Sequence, residues 1–128
     1  MSDLINHPSH YTSHPSGVEC ITLTREMPFA AGNALKYVFR SPYKGRRVED
    51  LQKAMFYVSL QMNNPYAMQM GKPSQVFERA AAQMLSFNQS AAETCIMRAI
   101  IEERFDAALE QLSRLLEGIL KHSAAQGS

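Results

Sequence analysis

Cysteine is scarce: Cys20 and Cys95 are the only two in 128 residues. Neither stands in a Cys-x-x-Cys pair, which argues against a zinc ribbon or a dithiol redox motif. Both are read as reduced thiols. An excess of charge is also missing. The net charge is +1, so no overall basic field directs the chain to nucleic acid, and no extended nucleic-acid surface is expected. No apolar run approaches the roughly 18 residues of a membrane span. The opening residues, from Met1 through Asn6-His7-Pro8, lack a charged segment followed by an apolar stretch, so no secretory signal is expected. The implied compartment is the cytoplasm. Familiar catalytic signatures are absent too. Gly71-Lys72 is followed by Pro73, and Tyr66 stands where a Walker A motif needs its first glycine. There is no Gly-x-Gly-x-x-Gly, no Gly-x-Ser-x-Gly, and no Glu-x-x-Glu…Glu-x-x-Asp set of the helical pyrophosphohydrolases.

What is present is a globular balance, 45% hydrophobic and 20% charged, which places the chain outside the disordered class. The length predicts one domain, long enough to bury about two-thirds of its unfolded surface. Residues 1–17 are rich in His, Pro and Ser, with Pro8 and Pro15 opposing regular structure and Gly17 closing the segment. They read as an extended N-terminal arm. From Val18 onward the pattern predicts an all-α protein, a compact bundle of five to six helices.

A first short helix is expected over 18–27, stopped by Pro28, with a strand at Cys20–Thr24 as the alternative. A second runs from Phe29 to Ser41, with Leu35, Val38 and Phe39 on one face. The third, Val48 to Asn63, has Leu51, Met55, Val58 and Met62 as its apolar stripe and Ala54 beside it. Glu49 and Asp50 occupy its first turn, where negative charge suits the helix dipole. After a loop over 66–73, Ser74 starts a fourth helix reaching Phe87. Ser90 and Glu93 have the spacing of a capping box for a fifth, which ends near Ile101. The sixth spans Phe105 to His122, striped by Phe105, Leu109, Leu112, Leu116 and Leu120, with residues 123–128 expected to fray. Glu103 to Leu109 resembles part of a tetratricopeptide unit, but no repeat period appears, and a helical hairpin for packing or self-association is the better account.

Three polar groups in the front half carry chemical interest. The first is Asn6-His7-Pro8-Ser9-His10-Tyr11, whose two histidines suit a phosphate clamp or a metal, or simply an exposed arm. The second is Asn33, Lys36, Tyr37 and Arg40, followed by Lys44. Lys36 and Arg40 are one helical turn apart, and such a cationic edge suits phosphate oxygens. The plain alternative is a solvated basic face. Gly32 costs about 1 kcal/mol inside a helix relative to Ala, so it points to close approach by a ligand or another backbone. The third is Glu49, Asp50, Lys53 and Tyr57. Asp50 suits pairing with a cation of the second group, orienting a hydroxyl, or holding Mg²⁺. The plain alternative is an intrahelical pair with Lys53.

These residues form an ordered series: Asn6 to Tyr11, Gly17 to Ile21, Gly32-Asn33-Ala34-Leu35-Lys36-Tyr37-Val38-Phe39-Arg40, Lys44-Gly45, and Glu49 to Tyr57. The series resembles a small bacteriophage family long labelled as of unknown function, one member of which is the nucleotide kinase of the T-seven coliphage. The resemblance covers roughly residues 6–60. It implies one site made of His7, His10, Tyr11, Glu19, Asn33, Lys36, Tyr37, Arg40, Lys44, Asp50, Lys53 and Tyr57. It also implies a nucleotide-binding protein of a phage or prophage, with a deoxynucleoside monophosphate kinase lacking a P-loop as the specific form. In that form ATP and Mg²⁺ are needed, and catalysis rests on positioning and charge neutralisation. Lys36, Arg40 and Lys44 are then expected to hold phosphates. Asp50 and Glu19 would hold Mg²⁺ or orient the acceptor, and His7 or His10 would contact phosphate or shuttle a proton. Tyr11, Tyr37 or Tyr57 would stack on the base. The alternative is a non-catalytic counter-defence protein that sequesters a nucleotide signal or blocks a host enzyme. A homo-oligomer is expected from the apolar stripes of the last three helices.

Overall fold

The structure, a computed structural model, describes residues 14–43, 45–64, 67 and 70–127. Those residues form six helices and no strand. They are α1 (Cys20–Thr24), α2 (Phe29–Arg40), α3 (Arg47–Asn63), α4 (Gln75–Ser86), α5 (Ala92–Ile101) and α6 (Phe105–Gly127). The protein is all-α, as the periodicity predicts. No helix among the described residues is long and apolar enough to cross a membrane.

Local chemistry sets most boundaries. Pro28 shortens α1 more than expected: the amides of Glu26 and Met27 already fold back on the carbonyls of Leu23 and Thr24, at 3.1 and 3.0 Å, a tight turn that precedes the proline. Ser74 caps α4, its Oγ accepting from the Phe77 amide at 3.1 Å. Glu26 reaches across from the α1–α2 turn to the same serine, accepting from its amide at 2.9 Å and its hydroxyl at 2.6 Å. These bonds hold the Glu26 carboxyl below the usual carboxylate range.

The capping box expected at Ser90 and Glu93 does not form. Ala91 is the N-cap of α5, without a side-chain bond, and Glu93 accepts from the Arg47 guanidinium of α3 instead. A charge-assisted bond outcompetes a neutral backbone donor. The α5–α6 turn closes without glycine. Glu103 takes φ 60, and the amides of Arg104 and Glu103 bond back to Ala99 and Ile100 at 2.8 and 3.1 Å. That is the paired bonding of a Schellman turn. Nor does fraying begin at 123, since α6 continues to Gly127. Exposed pairs Glu110–Arg114 and Glu117–Lys121 stiffen it one turn apart.

One core draws residues from all six helices, among them Leu23, Leu35, Val38, Leu51, Val58, Met84, Ile96, Ile100 and Leu112. Helices α2 and α3 form an antiparallel hairpin. Helix α6 packs on α3, α5 bridges α2 and α6, and α4 leans on α1 and α5. The buried line of α3 is Leu51, Ala54, Val58 and Gln61, whereas Met55 is half-buried and Met62 exposed. The expected stripe is thus rotated toward the hairpin partner. Gln61 belongs on that line because its Oε1 accepts from the Ala31 amide at 3.3 Å, satisfying a first-turn donor of α2. On α6 the line is Ala108, Leu112 and Leu116. Leu120 is 50% exposed, since α6 outruns the core there.

The arm expected over 1–17 is described only from His14, and there it is packed rather than free. The His14 ring is buried and stacks on Phe39 with centroids 4.5 Å apart. Edges of Tyr43 and Phe87 complete an aromatic box. His14 Nδ1 accepts from the Ser16 amide at 3.0 Å, and Ser16 O accepts from Gln83 Nε2 at 2.6 Å. Gly17, at φ 80, makes the turn into α1.

Two outcomes follow. Replacing the cap, Ser74→Ala, is expected to cost about 1 kcal/mol in urea unfolding. Burial pushes the His14 imidazole below its ordinary 6.5, so the unfolded chain takes up that proton first. The stability His14 contributes is whole above pH 6.5 and is lost as the pH falls toward its folded-state value. Melting temperatures measured from pH 7.5 down to about 5.5 should fall in the native chain and fall less in His14→Phe.

Candidate functional site

The outer edge of the α2–α3 hairpin carries the site. Along α2 the residues that miss the core recur at helical spacing: Phe29, Asn33, Lys36 and Arg40. Opposite them α3 presents Lys53, Phe56, Tyr57 and Leu60, with chain direction reversed. At the middle of this edge Tyr37 and Tyr57 lie nearly parallel, centroids 5.9 Å apart and planes 7° apart.

Three cations converge on Tyr37. Lys36 Nζ lies 4.7 Å from the ring centroid, Lys53 Nζ 5.4 Å and Arg40 Cζ 5.8 Å. Attraction to the ring face offsets part of the mutual repulsion. Neither lysine has a carboxylate partner among the described residues. Arg40 has one: its Nε is 3.4 Å from Asp50 Oδ2. Of the readings open for Asp50, the structure shows pairing with a cation of α2, not with Lys53. Asp50 is 1% exposed against 38% for Arg40, and neither facing atom has a hydrogen-bond partner. The pair is therefore ionic contact without aligned hydrogen bonding.

The expected site residues separate into groups. Lys36, Tyr37, Arg40, Asp50, Lys53 and Tyr57 come together. Asn33 sits one turn away, its Nδ2 donating to the Phe29 carbonyl at 2.8 Å. Glu19 is the N-cap residue of α1. Among the described residues, no three of His, Cys, Asp and Glu are grouped so that they could hold a metal ion. His7, His10, Tyr11 and Lys44 lie outside the described residues.

Sequence reasoning missed Phe29, Phe56, Arg25 and Ile21. Phe29 is 75% and Phe56 62% exposed, and both meet Tyr57 edge-on, at 6.1 and 5.2 Å. Phe29 carries a legible signal, since it extends the line of Asn33, Lys36 and Arg40 by one turn. Ile21 and Arg25 carry none, because α1 is too short to show a face. With Met27, Phe29, Gly32, Asn33 and Lys36 they line a groove of about 350 Å³ between α1 and α2. At Gly32 an added Cβ would lie 3.5 Å from the Thr24 carbonyl oxygen, an ordinary van der Waals contact, so no neighbouring backbone comes close enough to require glycine there. Lys36 also stands near enough to Cys20 to oppose the effect of burial, which pushes that thiol up to about 12.

The geometry defines an all-α protein with an aromatic and cationic edge on a helical hairpin. Residues 5–59 match the model of a family described as a protein of unknown function, DUF3310. The match covers less than half of the chain and takes in every candidate residue from His7 to Tyr57. No curated protein and no solved structure matches the chain.

The Arg40–Asp50 pair makes an asymmetric prediction. Arg40→Ala strands a buried carboxylate and should cost roughly 2–3 kcal/mol in urea unfolding, below the full price of a wholly buried pair because the guanidinium is partly solvated. Asp50→Asn leaves only that solvated cation and should cost less.

Proposed function

We propose that the protein binds a nucleotide through its phosphates at Lys36, Lys53 and Arg40, and transfers the γ-phosphoryl group of ATP to a deoxynucleoside monophosphate. The observation that carries the binding is the convergence of three cations on Tyr37 with no carboxylate among the described residues engaging either lysine. Cations at such spacing suit phosphate oxygens, with Arg40 bonding through the nitrogens that do not face Asp50 and each lysine acting as a point charge. The resemblance of Gly32–Arg40 and Glu49–Tyr57 to a phage family that includes a nucleotide kinase suggests the reaction. An acceptor phosphate oxygen would bond the γ-phosphorus as the bond to the β-phosphate oxygen breaks, releasing ADP. The chain's part is to align the two phosphates and neutralise charge between them.

The described residues do not fit a protein-held Mg²⁺. Asp50 is the carboxylate nearest the cations, and it is buried against Arg40 rather than turned to a hydrated ion. A metal would arrive as the magnesium complex of ATP. The second reading is nucleotide capture without turnover, which the same convergence of cations on Tyr37 would serve equally well. Capture would suit a phage protein that removes a host signal. Of the expected stripes, Leu112 and Leu116 are buried in the chain's own core, so self-association would use the residues left exposed, such as Val76 and Leu120.

The test is incubation with ATP, Mg²⁺ and dTMP or dGMP, with nucleoside diphosphate as the readout. Turnover is expected, and Lys36→Ala with Lys53→Ala should lower it at least tenfold, about 1.4 kcal/mol. Binding without turnover would favour capture. Absence of both would refute the nucleotide reading. Arg40 is avoided in this variant because its loss also destabilises the fold.

A further inference from the structure

We infer that the base of the bound nucleotide does not stack on Tyr37 or Tyr57 but enters the groove between α1 and α2. This rests on the nucleotide reading above and adds where the nucleoside goes. The tyrosines are engaged already. They face each other at 5.9 Å, and Tyr37 has three cations close about its ring. The groove is next to them, and Lys36 belongs to both.

Its size and lining suit a planar heterocycle. About 350 Å³ is at the small end of ligand sites, which run from roughly 300 to 1,000 Å³. Ile21 and Phe29 stand 49% and 75% exposed on its walls, a cost in water that a stacked or sandwiched base would relieve. Gly32 contributes no side chain to the groove. Asn33 supplies the polar contact. Its Nδ2 is anchored to the Phe29 carbonyl at 2.8 Å, which orients the amide and leaves Oδ1 and one N–H for a base edge. Lys36 then stands at the junction, where the sugar phosphate would pass from the groove to the cations. Arg25 adds a second positive charge to the lining.

The test is an NMR amide titration of the full chain with dTMP and dGMP, and separately with 2-deoxyribose 5-phosphate, which lacks a base. The nucleotides should shift the amides of Ile21, Thr24, Gly32 and Asn33 as well as Lys36. The sugar phosphate should shift those around Lys36, Tyr37 and Lys53 alone. In Ile21→Ala with Phe29→Ala, both exposed sites, the preference for nucleotide over sugar phosphate should drop at least tenfold while thermal unfolding stays cooperative. Nucleotide shifts confined to the cations, with that preference unchanged, would overturn the groove assignment and leave the nucleotide reading standing. No shift with any of the three ligands would overturn both.

Discussion

The packing of α2 against α3 is the contact on which the rest of this structure depends. Both helices bury small and branched side chains: Ala30, Ala31, Ala34 and Leu35 in α2, Leu51, Ala54 and Val58 in α3. Small residues let the backbones come close. Close backbones in turn bring long side chains at the rim within reach of each other. Lys36, Arg40, Lys53 and Tyr57 are thereby brought close about the ring of Tyr37. Gln61 and Asp50 mark the two ends of the seam, one satisfying an amide of α2 and the other pairing its last arginine. Both fix the register of the hairpin with polar contacts that a slip by one turn would break.

The edge so formed is locally unfavourable. Three cations about one ring repel each other, and two phenylalanines stand in water beside them. Elsewhere the chain follows the ordinary economy of helical proteins: Ser74 caps α4, exposed charges on α6 pair one turn apart, and leucines fill the centre. A surface that gathers several locally unfavourable features is where a binding function is to be sought. The His14 box sits at the Phe39 end of α2, one residue from Arg40.

The helices were largely legible, and the errors have particular causes. Proline, capping serine and apolar spacing located α2, α3 and α4 to within a residue or so. The capping box at Ser90 failed because Glu93 finds Arg47, forty-six positions away, and no local pattern encodes that. The α3 stripe was misplaced by one step because methionine reads as core by type, whereas Gln61 is core by partner. In the site, the shared face of Lys36 and Arg40 was readable from their spacing. The meeting of Lys36 with Lys53, and of Tyr37 with Tyr57, required two helices to be laid side by side.

By itself the sequence determined the all-α class, the approximate helix boundaries and which half of the chain carries the unusual polar residues. These are matters of periodicity and of residues that start or stop a helix within one turn, so they are written locally. Tertiary structure alone decided that Asp50 is buried against Arg40, that His14 is an aromatic plug rather than part of a free arm, and that Ile21 and Phe29 flank a groove. Each of these depends on the distance between side chains remote in sequence, and that distance is set by how the helices pack.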